Sequence, residues 1–434
     1  MSKYNHKIAI LILSAGLLSV PLTSTGTTYA EAITSQQETV SNSSYVSKYG
    51  YTYPAEWEKQ QSVWLAWSGS PEQNIVSTEI IQALLPSTRV DLVVKDKKTL
   101  NEASRFLKEY KVDTKKIKFH IYKGANIFIR DPGPLFLKKD DGSAMIADFN
   151  WNNYGVDTTR TAYSLERGGV DKYMAKKLGI ETIKSSYVAE GGGLEVNGEG
   201  VLLTFKDTAL QRNPGKSLAQ IESEYLRMYG QKKVVWLERS PVQDRRTPDN
   251  QPLIGNYFGG GANGHIDEVA RFVSPNTVLV ASYPKPTAKS HAIAKADYLV
   301  YEEVAETLEN STDANGKPFT VIRVENPDLS LFWKASKVTK KDERYTLHGI
   351  KPGETVYQVP AVSYMNFIIS NNTVVAPKYW KPGMPDHVKK LDEDFKKVLQ
   401  DAFPGYTIAQ LNPLAVNFWG GGIHCITQQM PLFD

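Results

Sequence analysis

The sequence predicts an α/β fold in which one unit, a β-hairpin followed by a helix and a further strand, is written about five times and closes into a ring. Three observations carry this prediction. Short apolar, β-branched runs come in pairs joined by turn residues, and Asp141-Gly142 and Asn197-Gly198 suit turns with positive φ. Each pair is followed by a helical run and one more strand. The units recur at spacings of roughly 60 to 100 residues, longer than ordinary solenoid repeats, so a few copies must bury their faces on one another. A doubly wound α/β fold in two domains fits the same pattern.

Before the first unit, residues 1–32 run from a basic start (Lys3, Lys7) through an apolar stretch (Ile8 to Val20) to Ala30-Glu31-Ala32. This is the pattern of a secretory signal peptide cut after Ala30 or Ala32, so the protein is expected to be secreted. No cysteine lies at that cut to carry a lipid. Residues 33–48 are rich in Ser, Thr and Gln without periodicity and read as a flexible leader. One catalytic domain is expected over 49–434.

The first unit reads as a strand at Ser62 to Trp67, a helix at Thr78 to Leu85 and a strand at Val90 to Val94. The second has a hairpin, Leu135 to Lys138 with Ala144 to Asp148, then a helix near Tyr173 to Leu178 and a strand at Glu181 to Ser185. The third repeats this at 194–205, 218–228 and 233–237, and the fourth at 269–282, 299–308 and 319–324. The fifth places a strand from Tyr364 to Ile369, its partner at Val374 to Pro377, a helix from Pro385 to Ala402 and a strand at Thr407 to Leu411.

Composition narrows the function. Lys and Arg number 51 against 47 Asp and Glu, with no basic cluster, so nucleic acid is not an expected partner. Beyond the signal peptide there is no apolar run of about 18 residues, so no membrane span is expected. One cysteine leaves no internal disulfide to staple the fold. The seven histidines show neither HxH nor HExxH spacing, so no metal site is expected.

The informative residues lie between the units, where a ring would turn its connections toward the axis. Near the end, Gly420-Gly421-Gly422-Ile423-His424-Cys425 sets the single cysteine behind three glycines that let backbone approach it closely. A lone thiol in that context reads as a nucleophile. His265 and Asp267, in Gly264-His265-Ile266-Asp267, would share one face of an extended segment, as an acid/base and carboxylate pair. His424 and Cys425 would point to opposite faces of a strand, which leaves His265 as the candidate base. Asp131 sits between Arg130 and Pro132, where turn chemistry is the simpler reading. Glu190 precedes three further glycines and could equally pair with a cation on the surface.

These stretches together resemble the agmatine deiminase family, which includes bacterial peptidylarginine deiminases. The resemblance rests on PAEWE and VWLAW (within 54–67), RDPGP (130–134), EGGGLEVNGEGVLLT (190–204), RNP (212–214), GHIDEVARF (264–272) and the ending GGGIHCITQQ. It covers nearly all of 53–431. It implies a pentein fold, five ββαβ-like modules around a pseudo-fivefold axis with a central active site. It also implies hydrolysis of a guanidinium to a ureido group and ammonia without a cofactor. By position, Cys425 is similar to the family's nucleophile, His265 to its acid/base, and Asp131 and Asp267 to the carboxylates that hold the guanidinium. Asn366 resembles a polar residue completing the site, and Glu190 is given a supporting role.

A guanidinium is planar, delocalised and always protonated, so its carbon resists attack. Paired carboxylates fix its plane and offset its charge, leaving one face open to sulfur. Two departures bear on the substrate. Where the family usually has an acid four residues before the histidine this chain has Gly261, and Phe128 replaces a tryptophan before Arg130-Asp131. Agmatine, converted to N-carbamoylputrescine, ranks first among expected substrates, followed by peptide arginine converted to citrulline. A thiol protease built on Cys425, His265 and Asn366 and a non-catalytic guanidino-binding protein are the readings from other classes. Oligomeric state is left open.

Overall fold

The computed structural model describes residues 50–157, 161–246 and 251–433. The expected signal peptide and leader lie outside the described residues. In chain order, β1 (Gln60–Trp67), α1 (Pro71–Leu84), β2 (Arg89–Val94), α2 (Lys97–Glu109) and β3 (Ile117–Ile121) form the first module. The second comprises β4 (Leu135–Lys138), β5 (Ala144–Asn150), α3 (Ala162–Gly168), α4 (Val170–Leu178) and β6 (Glu181–Val188). The third comprises β7 (Leu194–Val196), β8 (Val201–Phe205), α5 (Lys206–Arg212), α6 (Leu218–Tyr229) and β9 (Lys233–Leu237). After β10 (Tyr257–Phe258) comes the fourth, with β11 (Ala270–Ser274), β12 (Thr277–Ser282), α7 (Ala292–Glu309) and β13 (Thr320–Glu325). Then β14 (Lys334–Lys337), α8 (Glu343–Thr346) and β15 (Thr355–Gln358) intervene. The last module holds β16 (Ile368–Ser370), β17 (Thr373–Pro377), α9 (Asp386–Ala402) and β18 (Thr407–Leu411), and α10 (Leu414–Asn417) and β19 (Thr427–Pro431) end the chain.

The fold is mixed α/β, and its unit is a three-stranded sheet: an antiparallel hairpin whose second strand pairs in parallel with the strand after the helix. It occurs as β4-β5-β6, β7-β8-β9, β11-β12-β13 and β16-β17-β18. Central strands β8, β12 and β17 lie between a hairpin partner and a parallel neighbour and are covered on both faces. That is why they read as continuous Val, Leu and Ala runs rather than as alternating ones. The turn between β7 and β8 requires Gly198, which has φ +74° and would place a Cβ 2.7 Å from that of Ala55.

The first module completes its hairpin with the other end of the chain. Strand β19 pairs antiparallel with β1 (Val63 opposite Gln429), giving the order β19-β1-β2-β3. Sheet register thus assigns the strand that follows Cys425 to the first module rather than to the fifth, which it follows in the chain. Among the described residues there are six sheets, all open and separate. The sixth, β10-β15-β14, was not foreseen, because β10 is two residues long and β14 is an exposed, polar edge.

Helices follow local rules. Ser70 and Gln73 cap α1 reciprocally ahead of Pro71 in its first turn, and Ser217 and Gln220 do the same for α6. Along α9, Val388, Asp392, Phe395 and Leu399 recur on one face and are buried. Each apolar member of such a stripe contributes roughly 1.5–3 kcal/mol when fully covered. Helix α7 starts at Ala292, seven residues earlier than the predicted Leu299, with His291 as its cap through Nδ1.

Two predicted strands are shorter than the apolar pattern indicates, and both end at a functional stretch. Tyr364 to Phe367 lies outside β16 because side chains take its backbone groups: Tyr364 N donates to Asn326 Oδ1 and Met365 N to Ser363 Oγ. Ile423 to Ile426 forms a turn instead of a strand, since Asn366 Oδ1 accepts from the backbone N–H groups of His424 and Cys425. The opposite-face argument for His424 and Cys425 therefore does not apply.

Candidate active site

Five segments, each ending just before the first strand of a hairpin, bring their side chains together: Asp131 ahead of β4, Glu190 ahead of β7, His265 to Glu268 ahead of β11, Asn366 ahead of β16 and Cys425 ahead of β19. Each is a connection, free of ladder hydrogen bonds, so its side chains can be aimed inward. The expected extended segment at His265 to Asp267 is instead a short helical turn over Ile266–Glu268. Asp244 enforces it. Its carboxylate accepts from the N–H groups of Ala262, Gly264 and His265 at 2.7–2.8 Å, and Asn263 and Gly264 take positive φ. A helical turn replaces strict alternation, which adds Glu268 to the residues facing the cysteine.

Cys425 is 1% exposed. Asn366 Nδ2 donates to its Sγ at 3.1 Å, and the thiol faces Asp267 Oδ2 at 3.4 Å and Glu268 Oε1 at 3.8 Å. Burial, then Asp267, Glu268 and Asp131, push this thiol well above its ordinary pKa, because a second anion beside carboxylates is unfavourable. Asn366 also donates to Glu268 Oε1 at 3.0 Å, so one amide orients both the sulfur and the carboxyl beside it. Burial, with Asp267 and Asp244 adding to it, holds Glu268 well above the usual carboxylate range.

His265 is fully buried between two acids. Nε2 lies 3.1 Å from Glu190 Oε2 and Nδ1 lies 3.5 Å from Asp131 Oδ1. Burial works against its charge, but Asp131, Glu190 and Asp267 outweigh it and raise the imidazole to about 9. It rests as a proton donor. Glu190 is buried, not on the surface, and it is held by Arg212 through contacts of 2.9–3.0 Å. Burial raises Glu190, yet Arg212 and His265 bring it down to about 2. Its oxygens serve the imidazole and Arg212, which places it behind His265. Asp131 accepts from Tyr154 Oη at 2.8 Å and from Gly192 N at 3.3 Å. Burial chiefly, with Asp267 and Glu190 adding to it against His265, lifts it to about 6.

Behind the thiol, Glu56 of the PAEWE stretch gathers Arg130, Arg271 and His424. His424 spans Asp267 Oδ2, at 2.7 Å from Nδ1, and Glu56, so it fixes the carboxylate beside the sulfur. Arg130 Nε donates to the carbonyl of His424 at 2.7 Å, tying the two arms of the site. Phe128 is half-buried at the edge: a Cβ on Gly421 would lie 2.7 Å from its ring and 3.0 Å from the cysteine sulfur. At Gly261 a Cβ would lie 2.2 Å from Asp244 O, so this loop path leaves no room for the acid expected there.

Of the sequence candidates, Cys425, His265, Asp131, Asp267, Asn366 and Glu190 converge, with Phe128 at the margin. Glu268, Tyr154, Glu56 and Asp244 had not been singled out. For Tyr154 the available signal was Asn152-Asn153-Tyr154-Gly155, a turn-rich tetrad in which Asn153 and Tyr154 both take positive φ. Asp267, Glu268 and Cys425 present ligand atoms within 4.8 Å of one another and could hold a metal ion, a grouping made by the fold rather than by a spacing motif. Three polar atoms here have no hydrogen-bond partner among the described residues: His265 Nδ1, Asp267 Oδ1 and Glu268 Oε2.

Known proteins resemble this chain along nearly its whole described length. An agmatine deiminase of Medicago truncatula is 28% identical over 412 residues, covering 88% of this chain and 97% of the relative. The structure of an agmatine deiminase of Enterococcus faecalis superposes with a TM-score of 0.68 at 25% identity, covering 88% of this chain and 96% of that one. A substrate-bound agmatine deiminase of C. jejuni, at 20% identity and a TM-score of 0.64 over 88% and 96% of the two chains, shares the fold. Residues 52–431 match the Porphyromonas-type peptidyl-arginine deiminase family, and the chain belongs to that family.

Proposed function

We propose that this hydrolase, a deiminase acting on guanidino C–N bonds, works through a covalent intermediate on Cys425. The observation that carries the reading is the set of unpaired acceptors beside the thiol. Among the described residues, Asp267 Oδ1 and Glu268 Oε2 are buried without a hydrogen-bond partner, and a planar cation rich in N–H groups supplies what they lack. Leaving such groups unpaired costs about 1–3 kcal/mol each, so the free site favours that ligand.

In the proposed sequence, Asp131 and Asp267 bind the guanidinium edges, and its charge lowers the energy of the Cys425 thiolate, so that the thiol gives up its proton to solvent as the cation binds. Sulfur bonds to the guanidinium carbon, giving a tetrahedral intermediate. His265 donates its proton to one nitrogen as that C–N bond breaks and ammonia leaves. Neutral His265 then takes a proton from water as oxygen bonds to the thiouronium carbon. Collapse breaks the C–S bond and releases a ureido product. Ammonia release by the protein and by Cys425→Ala tests this, together with mass spectrometry of acid-quenched enzyme. An adduct of substrate minus ammonia on Cys425 is expected, and turnover surviving in the variant would sink the mechanism.

The convergence of five pre-hairpin segments also supports a ring of five modules about an axis near Cys425. An experimental structure whose modules are not related by a common rotation would exclude it. Residues 1–32 support export, which the N-terminal sequence of protein recovered from culture medium would test: a start after Ala30 or Ala32 is expected, and retention inside the cell would refute it.

A further inference from the structure

The proposed hydrolysis assigns no step to Glu268, yet this residue is 1% exposed and its Oε1 lies 3.8 Å from the sulfur of Cys425. Asp267 Oδ2 lies 3.4 Å from the same sulfur. The helical turn over Ile266–Glu268 sets these two consecutive carboxyl groups against one thiol. Around a tetrahedral zinc ion, with bonds of about 2.3 Å to sulfur and about 2.1 Å to oxygen, sulfur and oxygen ligands stand about 3.6 Å apart. The two separations in this structure fall on either side of that value.

The set is also oriented in advance. Asn366 Nδ2 donates to Cys425 Sγ at 3.1 Å and to Glu268 Oε1 at 3.0 Å, and His424 Nδ1 lies 2.7 Å from Asp267 Oδ2. Such neighbours fix the direction of a ligand without using all of its lone pairs. Among the described residues, Asp267 Oδ1 and Glu268 Oε2 are buried with no hydrogen-bond partner, so each carboxylate keeps an oxygen for a cation. One sulfur and two carboxylates suit a borderline ion such as zinc and leave the fourth corner of a tetrahedron to water. Magnesium and calcium take about six or more oxygen ligands and find too few here.

We propose that Cys425, Asp267 and Glu268 form a binding site for a thiophilic divalent cation of the zinc class, which holds the protein in a reversible inactive state. Binding forms a metal–sulfur bond and sends the thiol proton to solvent, and nothing is oxidised or reduced. The ion and a guanidinium need the same sulfur and the same Asp267, so each excludes the other. That competition rests on the reading of the Cys425 site as a guanidino deiminase; the binding itself does not.

The test uses Co2+ as a visible stand-in for Zn2+. Cys425 is the only cysteine of the chain, so a sulfur-to-cobalt charge-transfer band can come from no other residue. Stoichiometric Co2+ should produce that band, stoichiometric Zn2+ should abolish it, and Cys425→Ala should lack it. Glu268→Gln should weaken Zn2+ binding by about tenfold or more, since even the outer-shell partners of metal ligands act on that scale. Should that variant not fold, Glu268→Asp, which keeps the charge but withdraws the oxygens, carries the same expectation. His265→Gln should keep the band, because the imidazole is not a ligand. With whichever guanidine is turned over, Zn2+ should raise KM at unchanged kcat, and a chelator should restore the rate. No band, a band lost in His265→Gln, affinity unmoved by the Glu268 variant, or inhibition through kcat alone overturns the proposal while the deiminase reading stands. If no guanidine releases ammonia, that reading has failed, and the band and its dependence on Glu268 decide the metal site by themselves.

Discussion

Tyr154 donates a hydrogen bond to Asp131 Oδ2 at 2.8 Å from a loop that belongs to another stretch of the chain, and both residues are buried. The bond favours the ionised carboxylate and so counteracts the burial that raises Asp131. Tyr154→Phe leaves the oxygen unpaired. The expected result is a fall of about tenfold in kcat/KM, in line with a buried hydrogen bond to a charged group, and an acid limb of the pH profile displaced upward. A loss of rate with the limb unmoved would mean that Tyr154 acts only by filling space.

The pH dependence of the wild-type protein follows from two groups. The proposed mechanism needs Asp131 ionised and His265 protonated, so kcat/KM should rise through about 6 and fall through about 9. Stability has its own sign. His265 is raised above its unfolded value, so its contribution is complete below about 6.5 and is lost as pH rises through about 9. The melting temperature of wild type minus that of His265→Gln should therefore shrink between pH 7 and 10. A difference that grows over that range would contradict the imidazolium.

How much of this was legible depends on whether a residue announces itself through pattern or through contact. The hairpins were readable because turn chemistry at Asp141-Gly142 and Asn197-Gly198 and the buried runs of β8, β12 and β17 are local. Cys425 and His265 were readable from their glycine-rich approaches. Glu268 was not, because only the helical turn imposed by Asp244 sets it facing the sulfur. Pairing of β19 with β1 joins residues more than 350 apart, which no local signal carries. The sixth sheet escaped for the opposite reason: its strands are short, and Lys334 to Lys337 is exposed throughout.

Glu190→Gln removes a buried anion from between Arg212 and His265. Taking one partner from such a buried group destabilises by about 3–5 kcal/mol, since two cations lose their counter-charge. Thermal unfolding should show that loss, and the basic limb of kcat/KM should fall below about 9 as the imidazole loses the acid that raises it. If Glu190 instead contacted substrate, KM would carry the defect and the limb would stay in place.

Gly192 separates three side chains of the site. A Cβ there would lie 2.4 Å from His265 Nδ1, 2.9 Å from Asp267 Oδ2 and 3.0 Å from Asp131 Oδ1, and its own φ is not positive, so the backbone conformation itself permits alanine. The three polar groups must then move apart to admit the methyl. Overpacking of this kind costs about 1–3 kcal/mol of stability, whereas an ångström of misplacement costs about a hundredfold in rate. Gly192→Ala is thus expected to remain folded and lose at least about a hundredfold in kcat. Gly260→Ala is the control, since a Cβ there meets nothing within 4 Å. Near-normal turnover by Gly192→Ala would show that His265, Asp131 and Asp267 do not act from the positions they share around this glycine.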